Sequence, residues 1–229
     1  NLDALAARGV KFSRSYVAQS CQPTRAALVT GAYQNRIGNE VVGNNYYLPT
    51  QGFASKGVPE GVPGASTTIW ERMKSVGYTT GAVGKWHLGQ TSAYTDENGN
   101  AVAGNRPQDQ GVDEFFGIWH GSRGYGLGCC GGSQTQRLRK TIVDSAGNVT
   151  DTNEESSHTG EYVTSTFGDY AVSFIDEHHD AANPFFLYQS FTAPHTPLQN
   201  SPDFNDPGIA GLSGARKTYA SMMLTMDKE

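Results

Sequence analysis

Two short apolar runs restrict this chain's fold more than any other feature. Tyr78 to Val83 is β-prone and leads straight into Gly84-Lys85-Trp86-His87-Leu88-Gly89. Phe185 to Tyr188 reads as a buried strand and runs out into Phe191-Thr192-Ala193-Pro194-His195-Thr196-Pro197. Segments of helical character separate these runs. Ala4 and Leu5 with the stop at Gly9 make one short helix, and Thr24 to Thr30 a second with Pro23 in its first turn, where proline is tolerated. Ser66-Thr67-Thr68 cap a third through Val76, closed by Gly77, and the apolar spacing from Tyr162 to His179 gives a long fourth. A last helix begins near Gly214. Helices alternating with short apolar strands predict an α/β sandwich, with polar residues following the strands where such folds place ligands.

The rest of the chain is predicted to be less regular. Val10 to Val17 reads as extended, Asn35 to Pro63 as a long surface loop, and 90 to 159 as mostly polar loop around the aromatic stretch Phe115 to His120. The chain has 229 residues, 37% hydrophobic and 17% charged, with 28 glycines clustered in loops rather than repeats. No apolar run reaches membrane-spanning length, so no membrane span is expected. The net charge of −5 with no Lys/Arg block argues against nucleic acid as a partner. An anionic ligand would need a local cluster of cations. The three cysteines, Cys21, Cys129 and Cys130, make a poor disulfide framework.

Three motifs carry chemistry. Cys21-Gln22-Pro23-Thr24-Arg25 puts a thiol at a helix start, where the positive potential lowers its pKa and favours anions, with Arg25 one turn on. Read as structure alone, the same segment is a buried Cys before a proline-started helix. Lys85 and His87 stand two apart after a strand and project to one side, a fixed ammonium beside a titratable imidazole. His195 between Pro194 and Pro197 has a stiff backbone suited to presenting a donor to an anion. His178 and His179 read as the solvated end of a helix.

Cys21 to Arg25, followed by Leu28-Val29-Thr30-Gly31, resembles the signature of the type I sulfatases, and Gly77 to Gly89 resembles that family's second signature. Arg106 to Gly117 also resembles a sulfatase segment, just before a variable substrate loop. The resemblance implies an alkaline-phosphatase-like fold, a mixed and mostly parallel sheet flanked by helices, with residues 1–229 forming part of the N-terminal catalytic domain and incomplete at both ends. It implies that Cys21 is oxidised to formylglycine, whose hydrate attacks the sulfur of a sulfate ester. Arg25 and Lys85 would hold nucleophile and anion, His87 would eliminate sulfate, and His195 would bind sulfate or assist the leaving group. Trp119, His120 and Arg123, with Tyr125, are candidate substrate contacts, although Phe115, Phe116 and Trp119 read equally well as core aromatics.

The resemblance further implies a divalent cation, calcium with magnesium as the alternative. Of its ligands only residue 21, as formylglycine, is expected here, and neither Asp3 nor Asp227 is assigned to it. A formylglycine-generating maturation enzyme would be a partner, the substrate a glycan or aryl sulfate, and the location exported (periplasmic or extracellular) or lysosomal. The rival readings are a phosphonate or phosphodiester hydrolase of the same superfamily and a non-catalytic homologue without the metal.

Overall fold

The computed structural model describes residues 1–37, 61–90, 94–95, 101–102, 104–128 and 136–229. Cys129, Cys130 and most of the loop expected over Asn35 to Pro63 lie outside the described residues. Helix α1 spans Leu2–Arg8 and α2 spans Cys21–Thr30. The segment between them, read as extended, forms no strand. Val10, Phe12, Tyr16 and Val17 are exposed and find no strand partner among the described residues.

Helix α3, Ile69–Ser75, starts as expected. The Thr68 hydroxyl accepts from Glu71 N–H at 3.4 Å and the Glu71 carboxylate accepts from Thr68 N–H at 2.7 Å, a reciprocal cap. Strand β1, Thr79–Lys85, follows. Two-residue strands β2, Tyr94–Thr95, and β3, Ala101–Val102, pair with each other. Then come β4, Glu114–Ile118; β5, Arg139–Val143; and β6, Val149–Asn153. Helix α4 is Val163–His178, β7 is Phe185–Ser190 and α5 is Gly214–Lys228.

The main sheet has the order β6-β5-β4-β1-β7. β1 lies parallel to β4 and to β7, while β4–β5 and β5–β6 are antiparallel. The sheet is therefore mixed, and its parallel part is the three strands β4, β1 and β7. The β5–β6 hairpin corrects the reading of 90 to 159 as mostly loop. Its strands are polar enough to escape a periodicity search, and Asp144 makes the turn by accepting from Ala146 N at 2.9 Å and Asn148 N at 2.8 Å.

Side chains alternate between the two faces of the sheet. Ala82 and Phe115 join Ala26 and Val29 of α2, Trp70 of α3, Trp86 and Trp119 in one core. Val83 and Phe116 join Phe167 of α4, Met222 of α5, Tyr125 and Leu127 in the other. Phe115, Phe116, Trp119 and Tyr125 are thus core aromatics. His178 is also corrected. Its ring packs on Phe174 at 4.4 Å and its side chain is 18% exposed, whereas His179 is solvated.

The strands of the parallel part touch backbone to backbone near their carboxyl ends. A Cβ on Gly117 would lie 1.8 Å from the Gly84 carbonyl oxygen, and one on Gly84 would lie 2.0 Å from that of Ser190. Neither neighbour can move without breaking the ladder. Gly117→Ala is expected to cost about 3 kcal/mol or more in urea unfolding. Gly211→Ala, which meets nothing within 4 Å, is expected to change stability by less than about 0.5 kcal/mol.

Candidate active site

Cys21 is the first residue of α2, preceded by Ser20 in an extended conformation at the N-cap. The helix starts three residues earlier than expected, and Pro23 still falls in its first turn. Thr24 ties that turn down by donating its hydroxyl to Ala18 O at 3.0 Å. Gly31, at φ 67°, closes the helix in the left-handed conformation. Arg25 lies one turn beyond Cys21 and is directed at the ends of two strands. Its Nε donates to Trp86 O at 2.9 Å, one terminal nitrogen donates to Ser190 Oγ at 2.7 Å, and the other donates to Lys85 O. The guanidinium also stands 5.6 Å from the centroid of Tyr188. Burial lowers its pKa, partly countered by Tyr188 and Cys21. An arginine nevertheless stays charged.

Lys85, the last residue of β1, is 6% exposed. Burial lowers the pKa of its ammonium, Cys21 beside it works to raise it, and Arg25 adds to the fall. Among the described residues neither Arg25 nor Lys85 forms an ion pair with a carboxylate. Two buried cations without counter-charge are costly unless an anion occupies the space between them.

His87 completes the group through a strained backbone. It is the one non-glycine with positive φ, 52°, among the described residues. Its N–H donates to Trp119 O at 3.0 Å, and its Nδ1 lies 3.4 Å from Cys21 Sγ. Such a conformation costs of order 1–3 kcal/mol and turns the ring back over α2. Gly121 makes room, since a Cβ there would lie 2.5 Å from the imidazole. The His87 pKa is pushed down to about 3, first by burial and then by Lys85, Arg25, His120 and His195. The imidazole is therefore neutral at ordinary pH and able to take a proton.

Cys21, Arg25, Lys85 and His87 lie together at this end of the sheet. His195 sits in a turn between two cis peptide bonds, Ala193-Pro194 and Thr196-Pro197. Its carbonyl accepts from Tyr125 Oη at 2.9 Å, and its Nδ1 donates to Thr196 O at 2.7 Å. The exposed ring lies close enough to help depress the pKa of His87. His120 is exposed and stacks on His87 at 6.1 Å.

Two of the candidate substrate contacts are also held by other partners. Trp119 is 7% exposed in the core, with the Arg106 and Arg139 guanidinium groups 4.8 and 4.3 Å from its ring. It reaches the site only as one wall of a cavity of about 60 Å³ shared with Gln22, His87 and His120. Arg123 makes a two-pronged ion pair with Glu155, both contacts 2.6 Å. Burial works to raise the Glu155 pKa, but Arg123 and the Gly128 and Leu138 amides hold it down to about 2. Arg123 thus braces the wall of a neighbouring cavity of about 400 Å³, also lined by Ser122, Arg137 and Pro197.

Ser190 and Gly121 were not expected from sequence. The first is visible there only as the polar residue that ends β7, and the second only as one glycine among many.

No carboxylate groups with Cys21 among the described residues. The His, Asp and Glu side chains found close enough together there to hold an ion are Glu114, Glu177 and His178, at the opposite end of the sheet. The described residues therefore do not form a calcium centre at Cys21.

The family model Sulfatase matches residues 1–229. The chain belongs to this family. It is 35% identical over 219 residues to an arylsulfatase of Hemicentrotus pulcherrimus, covering 93% of this chain and 36% of that protein. It is 30% identical over 224 residues to the N-acetylgalactosamine-6-sulfatase of Mus musculus, covering 93% of this chain and 38% of that protein. The crystal structure of Ps i-CgsB in complex with k-i-k-neocarrahexaose superposes with a TM-score of 0.72 at 29% identity. That match covers 100% of this chain and 47% of the other. The sandwich is accordingly the alkaline-phosphatase-like fold of sulfatases. The chain spans little more than a third of the relatives' length. No helix of the described residues is long and apolar enough to cross a membrane.

The pKa of His87 has a consequence for stability. A folded-state pKa of about 3 lies below the unfolded value of 6.5, so the folded protein binds fewer protons between them. Its contribution is complete above pH 6.5 and is lost as pH falls from there toward 3. An NMR titration of the imidazole protons should place the His87 midpoint below about pH 4. A His87 midpoint above 6 would contradict the burial and charge described here.

Proposed function

We propose that this chain supplies the nucleophile side of a sulfuric ester hydrolase. The observation that carries the reading is the convergence on Cys21 of two cations, with no carboxylate partner among the described residues, and a neutral imidazole. That set suits a tetrahedral oxyanion undergoing proton transfer.

In this reading a maturation enzyme oxidises Cys21 to formylglycine, so that Sγ marks the place of the aldehyde oxygens. One hydroxyl of the hydrated aldehyde attacks the ester sulfur. The bond from sulfur to the alcohol oxygen breaks and the alcohol leaves with a proton. The remaining hydroxyl then passes its proton to His87, inorganic sulfate departs, and the aldehyde is restored. Lys85 and Arg25 neutralise the sulfate oxygens, and Arg25 also locks α2 to β1 and β7. His195 offers its ring to the sulfate or to the leaving oxygen, and His120 lines the approach. The family's divalent cation, calcium or magnesium, would add charge stabilisation at the sulfate oxygens. Its carboxylate ligands would come from outside the described residues.

A sulfated carbohydrate is the favoured substrate, with an aryl sulfate next. Among the similar proteins, one is named for N-acetylgalactosamine 6-sulfate and one is bound to a neocarrahexaose. The cavity of about 400 Å³ lined by Ser122, Arg123, Arg137 and Pro197 gives a sugar room. An exported or lysosomal location fits such a substrate. Residues 1–229 form part of the N-terminal catalytic domain.

The two histidines should separate kinetically in the mature enzyme. His87→Ala should let sulfate accumulate covalently on residue 21, since attack proceeds while elimination stalls. His195→Ala should slow formation of that adduct. Turnover changed by less than about tenfold in both, roughly 1.4 kcal/mol, would remove both assignments. Parallel kinetics should favour an aryl sulfate over an aryl phosphate diester; the reverse preference would make the enzyme a phosphodiesterase.

A further inference from the structure

Far from Cys21, where the parallel strands begin, three side chains gather whose role the hydrolase reading leaves open. Glu114 opens β4, and Glu177 and His178 close α4. One ligand atom from each lies within 4.8 Å of the other two. The Tyr170 hydroxyl donates to Glu114 Oε1 at 2.7 Å, which fixes that carboxylate and leaves Oε2 toward His178. His178 Nε2 is 3.9 Å from Glu114 Oε2. That is too long for a hydrogen bond.

Yet the nitrogen is out of contact with solvent and has no hydrogen-bond partner among the described residues. A buried polar nitrogen in that state calls for a partner, and a metal ion is one that suits it. The ring cannot swing freely away, because it packs on Phe174 at 4.4 Å. Two donors each about 2.1 Å from a tetrahedral zinc ion lie about 3.4 Å apart. The observed 3.9 Å therefore needs only a small closure. Glu177 is exposed at the helix end and can swing in.

We infer that Glu114, Glu177 and His178 form a site for one zinc ion, completed by water, that fastens the end of α4 to the start of β4. One imidazole nitrogen and two carboxylates suit zinc, whereas calcium takes six to eight oxygens. The site is separate from any cation at residue 21 and does not depend on the hydrolase reading.

The test uses the purified protein with Cys21, Cys129 and Cys130 replaced by serine, so that no thiolate competes. It is stripped with chelator and titrated calorimetrically with zinc chloride in excess calcium, which fills hard-cation sites. One equivalent of zinc should bind and raise the unfolding temperature. His178→Ala should weaken binding by at least about tenfold and abolish the thermal shift. Glu177→Gln, at an exposed position, serves if the His178 variant does not fold. Failure to bind one equivalent of zinc, or affinity kept within tenfold in the folded variant, would overturn the site.

Discussion

The buried guanidinium of Arg25 is the interaction on which the rest of the site depends. It donates to the carbonyls of Lys85 and Trp86 and to the hydroxyl of Ser190, so one side chain joins α2 to the ends of β1 and β7. Charge-assisted bonds of this kind are the strong ones, and removing their donor would leave buried acceptors unpaired. The same contact fixes where Cys21 sits, because the two residues are one helical turn apart. Among the described residues no carboxylate pairs with this charge, and Lys85 adds a second.

The sheet makes this arrangement rigid. Gly84 and Gly117 let three strand ends approach so closely that no side chain fits between them. Beyond that point the chain turns through the left-handed conformation of His87. Strain at a residue that touches the reactive group is commonly maintained because the surrounding packing over-determines it. Here the packing is Trp86 inside one aromatic core and Gly121 against the imidazole. The depressed His87 pKa has the same origin, since burial and neighbouring cations both disfavour the charged ring.

Much of this was legible in the sequence because the signals were local. The helix cap at Thr68 and the stop at Gly77, the apolar spacing of α4, the runs that became β1 and β7, and the first two motifs each lie within a few residues. What the sequence concealed depends on distant partners. The β5–β6 hairpin is polar and owes its place to pairing with β4. Trp119 and Arg123 looked like ligand contacts by residue type. Their partners, Arg106 and Arg139 for one and Glu155 for the other, lie up to 32 residues away. His178 looked solvated because Glu114, 64 positions earlier by subtraction of residue numbers, cannot be paired with it by spacing. The Val10 to Val17 segment has the composition of a strand and no partner among the described residues, and propensity without a neighbour does not make a ladder.

The central claim is that residue 21 is the atom-bearing centre to which sulfur becomes bonded, and that it works as an aldehyde. Peptide mass spectrometry of an active preparation tests it most directly. Trypsin should release residues 15–25, from the cut after Arg14 to the cut after Arg25, as one peptide. The account predicts that residue 21 in this peptide has lost its sulfur and carries an aldehyde oxygen. An intact cysteine thiol at residue 21 in fully active protein would contradict it.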